Sequence, residues 1–157
     1  MNKAEKKDIA GAIALPPLIF LPAILVALGL EWALRADIGL GRIGLVIGLL
    51  VIAESGVIAL WARRQFIKGG TSLRVDEPST AILTTGPFRF SRNPLYLSMA
   101  SLQIGIGIAA SMAWVIVLVI PALLVIRYGV IAREEPYLER KFGETYLNYK
   151  NSVRRWV

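Results

Sequence analysis

The chain contains no cysteine and no histidine. Their absence removes the usual zinc ligands, the His and Cys ligands of haem, a thiol nucleophile and the imidazole base. No metal site is expected, so any reaction must run on carboxylates, arginine, tyrosine, asparagine, backbone groups or a bound cofactor. The lack of cysteine says nothing about compartment, because a membrane protein can dispense with disulfides anywhere. Negative charge is also scarce: 11 Asp and Glu stand against 18 Lys and Arg, a net charge of +7.

Apolar residues make up 55% of the chain. They come in blocks instead of the stripes of a soluble amphipathic helix, which implies one polytopic membrane domain. The blocks recur to the end of the chain, unlike a secretory signal ahead of a soluble remainder, so no cleaved leader is expected. A spanning helix needs roughly 20 mostly apolar residues. Four blocks approach that length, at 9–32, 40–61, 95–110 and 113–131. The last two are short and separated only by Ser111 and Met112, so they are expected to form a tight helical hairpin. The expected fold class is all-α: a polytopic membrane helix bundle of about four transmembrane helices plus a C-terminal amphipathic interfacial helix.

Arg35 and Arg42 fall in the first connecting loop, and the remaining Lys and Arg lie on or near the opposite side. Short basic segments stay cytoplasmic, so both termini are expected inside. A basic rim against anionic lipid headgroups accounts for the charge without a nucleic-acid partner.

Within the first block, Pro16, Pro17 and Pro22 remove backbone donors and are expected to kink or break the helix. Glu54 in the second block lies roughly 13 Å inside the cytoplasmic end and Arg127 in the fourth roughly 9 Å inside, at 1.5 Å per residue. Ionisable groups at such depth are candidates for contact with substrate. They are also placed to form a buried ion pair with each other. Residues 63–91 form the one long connection, in which Leu73, Val75, Ile82 and Leu83 are spaced like short extended pieces resting on something. The third helix is expected to open at Asn93-Pro94, with Asn93 as N-cap and Pro94 at the first helical position. The fourth is expected to stop at Pro136. There a basic amphipathic helix would begin, its apolar positions Leu138, Phe142, Tyr146, Tyr149, Val153 and Trp156 recurring every three or four residues. Its simplest role is to lie in the headgroup region, held by Arg140, Lys141, Lys150, Arg154 and Arg155.

Two polar stretches flank the apolar hairpin: Gly86-Pro87-Phe88-Arg89-Phe90-Ser91-Arg92-Asn93-Pro94-Leu95-Tyr96 and Arg133-Glu134-Glu135-Pro136-Tyr137-Leu138. A run that crosses the bilayer and returns delivers both to one face. Two adjacent carboxylates opposite an arginine-rich turn make a mixed-charge site able to hold a zwitterionic small molecule. The plainer reading is a solvated Glu pair near a helix terminus.

At these residues the sequence resembles the integral-membrane methyltransferases that include isoprenylcysteine carboxyl methyltransferase and the phospholipid N-methyltransferases. The marks are Thr85 to Arg89, Ser91 to Tyr96, Arg133-Glu134-Glu135, Leu138, Phe142-Gly143, Tyr146, Tyr149 and Val153. No single piece is specific, but their order and spacing around an apolar hairpin are. The resemblance implies one methyltransferase-like domain, with residues 1–62 as an N-terminal helix pair, 63–93 as a cytoplasmic connection and 94–157 as a cofactor-binding hairpin with a C-terminal helix. It further implies that S-adenosylmethionine is bound by Gly86, Arg89, Arg92, Asn93, Pro94, Leu95, Tyr96, Glu135 and Tyr146, with Glu134, Glu135 and Arg133 nearest the chemistry. A lipophilic or lipid-modified acceptor would enter from the bilayer. Many relatives carry His where this chain has Asn93, which keeps a donor and an acceptor but does not titrate.

Methyl transfer from a sulfonium needs alignment and exclusion of water more than acid–base groups, so a site without His, Cys or metal suffices. A carboxylate acceptor would call for a clamp from Arg133 or Arg127, an amine acceptor for Glu134 or Glu135 as proton acceptor. Both sets are present. An NADPH-dependent membrane reductase of related architecture, and a non-catalytic scaffold or transporter with Glu54 and Arg127 on its polar path, are the competing readings.

Overall fold

A computed structural model describes residues 8–157; the extreme amino terminus, for which a cytoplasmic position is expected, lies outside the described residues. The fold is all-helical, without strands among those residues. Its elements are α1 (Pro17–Leu34), α2 (Gly41–Gly69), a 3₁₀ turn (Gly86–Arg89), α3 (Pro94–Ala109), α4 (Ala113–Val117), α5 (Val119–Val125), a π-helical segment (Ile126–Ile131), α6 (Ala132–Phe142) and α7 (Glu144–Ser152).

Three helical runs are long and apolar enough to cross a membrane: Pro17–Leu34, Gly41–Gly69 and Ala113–Phe142. The fourth, α3, is apolar but has 16 residues, about 24 Å of helix against a hydrocarbon core of roughly 30 Å. Large apolar side chains such as Leu21, Leu25, Leu50 and Ile120 point outward, as they do where the surrounding solvent is lipid.

Several boundaries differ from those the sequence suggests. The first helix starts at Pro17, not at residue 9. Its missing N–H and preset φ suit Pro17 to the first helical position, and Pro22 is carried inside the helix without breaking it. Residues 9–16 instead run across the bundle, where the Ile13 N–H donates to the Gly129 carbonyl at 3.2 Å. The second helix runs past residue 61 to Gly69 and ends where Gly70 takes a left-handed φ of 61°, so Arg63, Arg64 and Lys68 ride on a helix that projects beyond the apolar span. The connection that follows contains no extended pair, yet Val75 is buried and Ile82 and Leu83 pack against a core cluster.

Pro136 does not stop the fourth helix, which continues to Phe142 with Pro136 inside α6. A π-helical segment lies immediately upstream. The bend comes at Gly143, at φ 55°. Leu138, Phe142, Tyr146, Tyr149 and Val153 pack as one apolar cluster with Ala62, Phe66 and Phe88, as their spacing suggests. Because of the bend at Gly143 they are divided between α6, α7 and the residue that follows α7, and they close the end of the bundle.

The hairpin itself forms as expected. Ser111 takes a φ of 56° at the turn, Ile38 N–H donates to Ser111 O at 3.1 Å, and Ala113 N–H donates to Ala36 O at 3.1 Å. The first and third connections therefore meet at one end of the bundle, and Arg92–Tyr96 and Glu134–Tyr137 meet at the other.

Helices α2 and α3 make the closest approach, through small residues. A Cβ on Gly105 would lie 3.0 Å from the Gly48 carbonyl oxygen, one on Gly44 3.0 Å from the Ile108 carbonyl oxygen, and one on Gly48 would fall within the Ala109 backbone. With no hydrophobic effect to drive helices together in lipid, this backbone proximity supplies the van der Waals contact. Gly48→Val should therefore cost about 3 kcal/mol through overpacking. Gly56→Ala, in open space, should be neutral or better. Thermal melts of helical circular dichroism in detergent check this, and equal melting temperatures for the two variants would contradict it.

Candidate functional site

The hairpin ends and the C-terminal helices enclose a cavity of about 280 Å³. Arg92, Asn93, Pro94, Leu95 and Tyr96 line it from the start of α3, Glu134 and Glu135 from α6, and Tyr146 and Tyr149 from α7. Leu15, Pro16 and Pro17 form another wall, and residues 71–83 of the long connection close over it.

Glu135 is the electrostatic centre. Arg155 donates to it through Nε at 2.8 Å and Nη2 at 2.6 Å, a bidentate pairing that matches the planes of both groups. Arg92 Nη1 stands 3.2 Å from the same carboxylate. The Arg92 guanidinium is nonetheless short of partners: its Nε and Nη1 are buried without a hydrogen bond. Such orphans are costly. A second carboxylate, Glu134, accepts a hydrogen bond from the Tyr96 hydroxyl at 2.8 Å. Unlike Glu135 it has no cationic partner among the described residues.

The Ser91–Asn93 turn is tied to the end of the chain. Arg92 N–H donates to Arg154 O at 3.0 Å. The Asn93 side-chain amide and the Ser91 hydroxyl donate to Arg155 O at 2.9 and 3.3 Å. Asn93 thus precedes α3 as expected but makes no side-chain cap; its amide is spent on the C-terminal strap, residues 153–156. The Tyr149 hydroxyl adds a bond to Phe88 O at 2.8 Å. On the opposite side, residues 8–16 are strapped to α6: the Tyr137 hydroxyl donates to Asp8 O at 2.8 Å, and Arg133 Nη1 donates to Gly11 O at 2.9 Å.

Not every sequence candidate arrives at the cavity. Arg133 is exposed and turned to Gly11. Arg89 is exposed outside it. Gly86, with φ 62°, packs against Gln65, which a Cβ would meet at 2.8 Å. Glu54 and Arg127 form no ion pair: Glu54 is exposed on α2, and Arg127 stacks on Tyr128 at 5.6 Å. Neither lines the cavity. The most consequential residue outside the candidate set is Arg155, which the basic character of the C-terminus casts as a headgroup anchor. It lies 20 residues from Glu135, a separation with no helical periodicity to reveal the pairing. Lys150 and Lys141, also cast as anchors, pair with Glu139 and Asp8.

Burial, reinforced by the negative charge of Glu135 and opposed by Arg92, pushes the Tyr146 phenol from 10.0 up to about 12. Between these values the unfolded chain loses the Tyr146 proton while the folded chain keeps it, so stability falls as pH rises. Over this interval Tyr146→Phe should lose less stability than the parent, as melting temperature against pH will show. Parallel curves would contradict the assignment.

A model of the phospholipid methyltransferase family matches residues 43–145, which contain the hairpin, the 3₁₀ turn and both cavity carboxylates. An uncharacterized protein of Haemophilus influenzae is 43% identical over 65 residues, covering 40% of this chain and all of that one. No solved structure matches. With about two thirds of its length inside the family model, the chain belongs to the phospholipid methyltransferase family.

Proposed function

We propose that the cavity binds S-adenosylmethionine and that the protein passes its methyl group to a lipophilic acceptor reaching in from the bilayer. The observation that carries this reading is the buried, under-satisfied Arg92 guanidinium in the same cavity as a carboxylate without a cationic partner, Glu134. A zwitterion bearing a carboxylate and an ammonium group answers both. The residues present fit the amino-acid part of S-adenosylmethionine, with Arg92 as the carboxylate partner and Glu134 as partner of the ammonium group or ribose hydroxyls. The faces of Tyr96 and Tyr146 offer contact to a sulfonium or an adenine ring.

When bound, the cofactor supplies a methyl group already activated on sulfur. The chain then has to orient and to exclude water. Leu15, Pro16, Pro17, Met99 and Ile131 give the cavity apolar walls. Its volume stands at the small end of ligand sites, so a lipid tail would stay outside in the bilayer and present only its reactive end. Of the two acceptor classes, the geometry favours an amine. Arg133 and Arg127, the candidate clamps for a carboxylate, do not line the cavity, which disfavours a carboxylate acceptor. The basic residues Arg63, Arg64, Lys68 and Arg140 cluster at the cavity end, while Arg35 and Arg42 lie at the other, which supports a cytoplasmic site.

Calorimetric titration of detergent-purified protein with S-adenosylmethionine and with NADPH tests the reading. Binding of the first is expected, weakened roughly tenfold or more in Arg92→Leu and Glu134→Gln, in line with the ~1.5–3 kcal/mol of a hydrogen bond to a charged group. Binding of NADPH alone, or of neither, would refute it.

A further inference from the structure

The exposed face of α2 carries a pattern that the methyltransferase site does not use. Ile43, Ile47, Leu50, Glu54, Val57 and Trp61 follow one another at alternating spacings of four and three residues, and every one of them is exposed. This is the spacing of a heptad seam, by which parallel helices pack knobs into holes. It is distinct from the α3-facing side, where Gly44, Gly48 and Ser55 are buried. Glu54 lies within the seam and near the middle of the apolar span, about 18 Å from Arg42 and about 13 Å from Arg63 at 1.5 Å per residue. It forms no ion pair or hydrogen bond among the described residues.

A carboxyl group facing hydrocarbon at mid-span calls for a polar partner at the same depth. A second copy inserted in the same orientation provides one by symmetry. A carboxyl is also its own complement, since the protonated member of a pair donates to an oxygen of the other. A single polar residue within an otherwise apolar seam is the device that fixes helix register and partner number. We propose that two copies of the chain pair in the membrane, α2 against α2 about a two-fold axis along the bilayer normal, with the two Glu54 carboxyl groups hydrogen-bonded across it.

The natural absence of cysteine makes a direct test possible in the full chain, in bilayers, with no cofactor. Single substitutions Leu50→Cys and Val57→Cys, on the seam, should give disulfide-linked dimers under mild oxidation, because parallel seam positions approach within disulfide reach. Leu49→Cys and Leu60→Cys, exposed but turned roughly 120° or more from Glu54 around the helix, should not. Adding Glu54→Leu to Leu50→Cys should lower the dimer yield roughly three- to tenfold, and Glu54→Gln, which keeps a donor and an acceptor, should largely restore it. Cross-links at all four positions, at the off-seam pair alone or at none would overturn the interface. Undiminished yield with Glu54→Leu would overturn the role of the carboxyl pair. Each variant lies on an exposed face, and retained helical circular dichroism confirms its fold.

Discussion

One largely buried carboxylate organises the working end of this protein. Glu135 is 8% exposed, and a charge so placed is tolerable only with close partners. It takes two, Arg155 from the C-terminal strap and Arg92 from the turn before α3. The three groups join the polar turn, the exit of the last long helix and the chain end, which are far apart in sequence. The same pairing holds the strap where its backbone carbonyls can accept from Arg92 and Asn93. Removing either arginine would leave the carboxylate with a single cationic partner and loosen a wall of the cavity. The carboxylate is thus a structural keystone first, and Glu134 beside it, bonded only to Tyr96, is the acid left available to a ligand.

The membrane explains why such an arrangement sits at a helix end. Along the spans, backbone groups are satisfied within the helices and side chains face lipid, so recognition there relies on small residues such as Gly48 and Gly105. Among the described residues, paired charges are confined to where the helices leave the hydrocarbon. The long α2 projects past the bilayer and supplies Ala62 and Phe66 as a floor for α7. The short α3 begins at the polar turn, and α6, which follows the π-helical segment without a break, delivers two glutamates at that level.

The hairpin, its turn residues and the convergence of the two polar stretches were legible in the sequence because they follow from block length and local chemistry. Arg92, Tyr96, Glu134, Glu135 and Tyr146, singled out by their motifs, come to line one cavity. The eight residues before Pro17 read as helix because they are mostly apolar, but two consecutive prolines favour a start over a continuation. The Glu135–Arg155 pair was invisible because nothing local relates the two positions. Glu54 and Arg127 matched in depth, yet depth along separate helices does not determine which faces meet. Arg133 and Arg89 belong to the motifs but fall on the outer sides of their turns.

The central claim is that Glu135 and Arg155 act as one unit that both holds the strap and shapes the cavity. A double-mutant cycle with Glu135→Gln and Arg155→Met, read by unfolding in detergent, tests it most directly. The account predicts a coupling of about 2 kcal/mol or more, the double variant being far less destabilised than the sum of the singles. Additive effects, with coupling near zero, would contradict it.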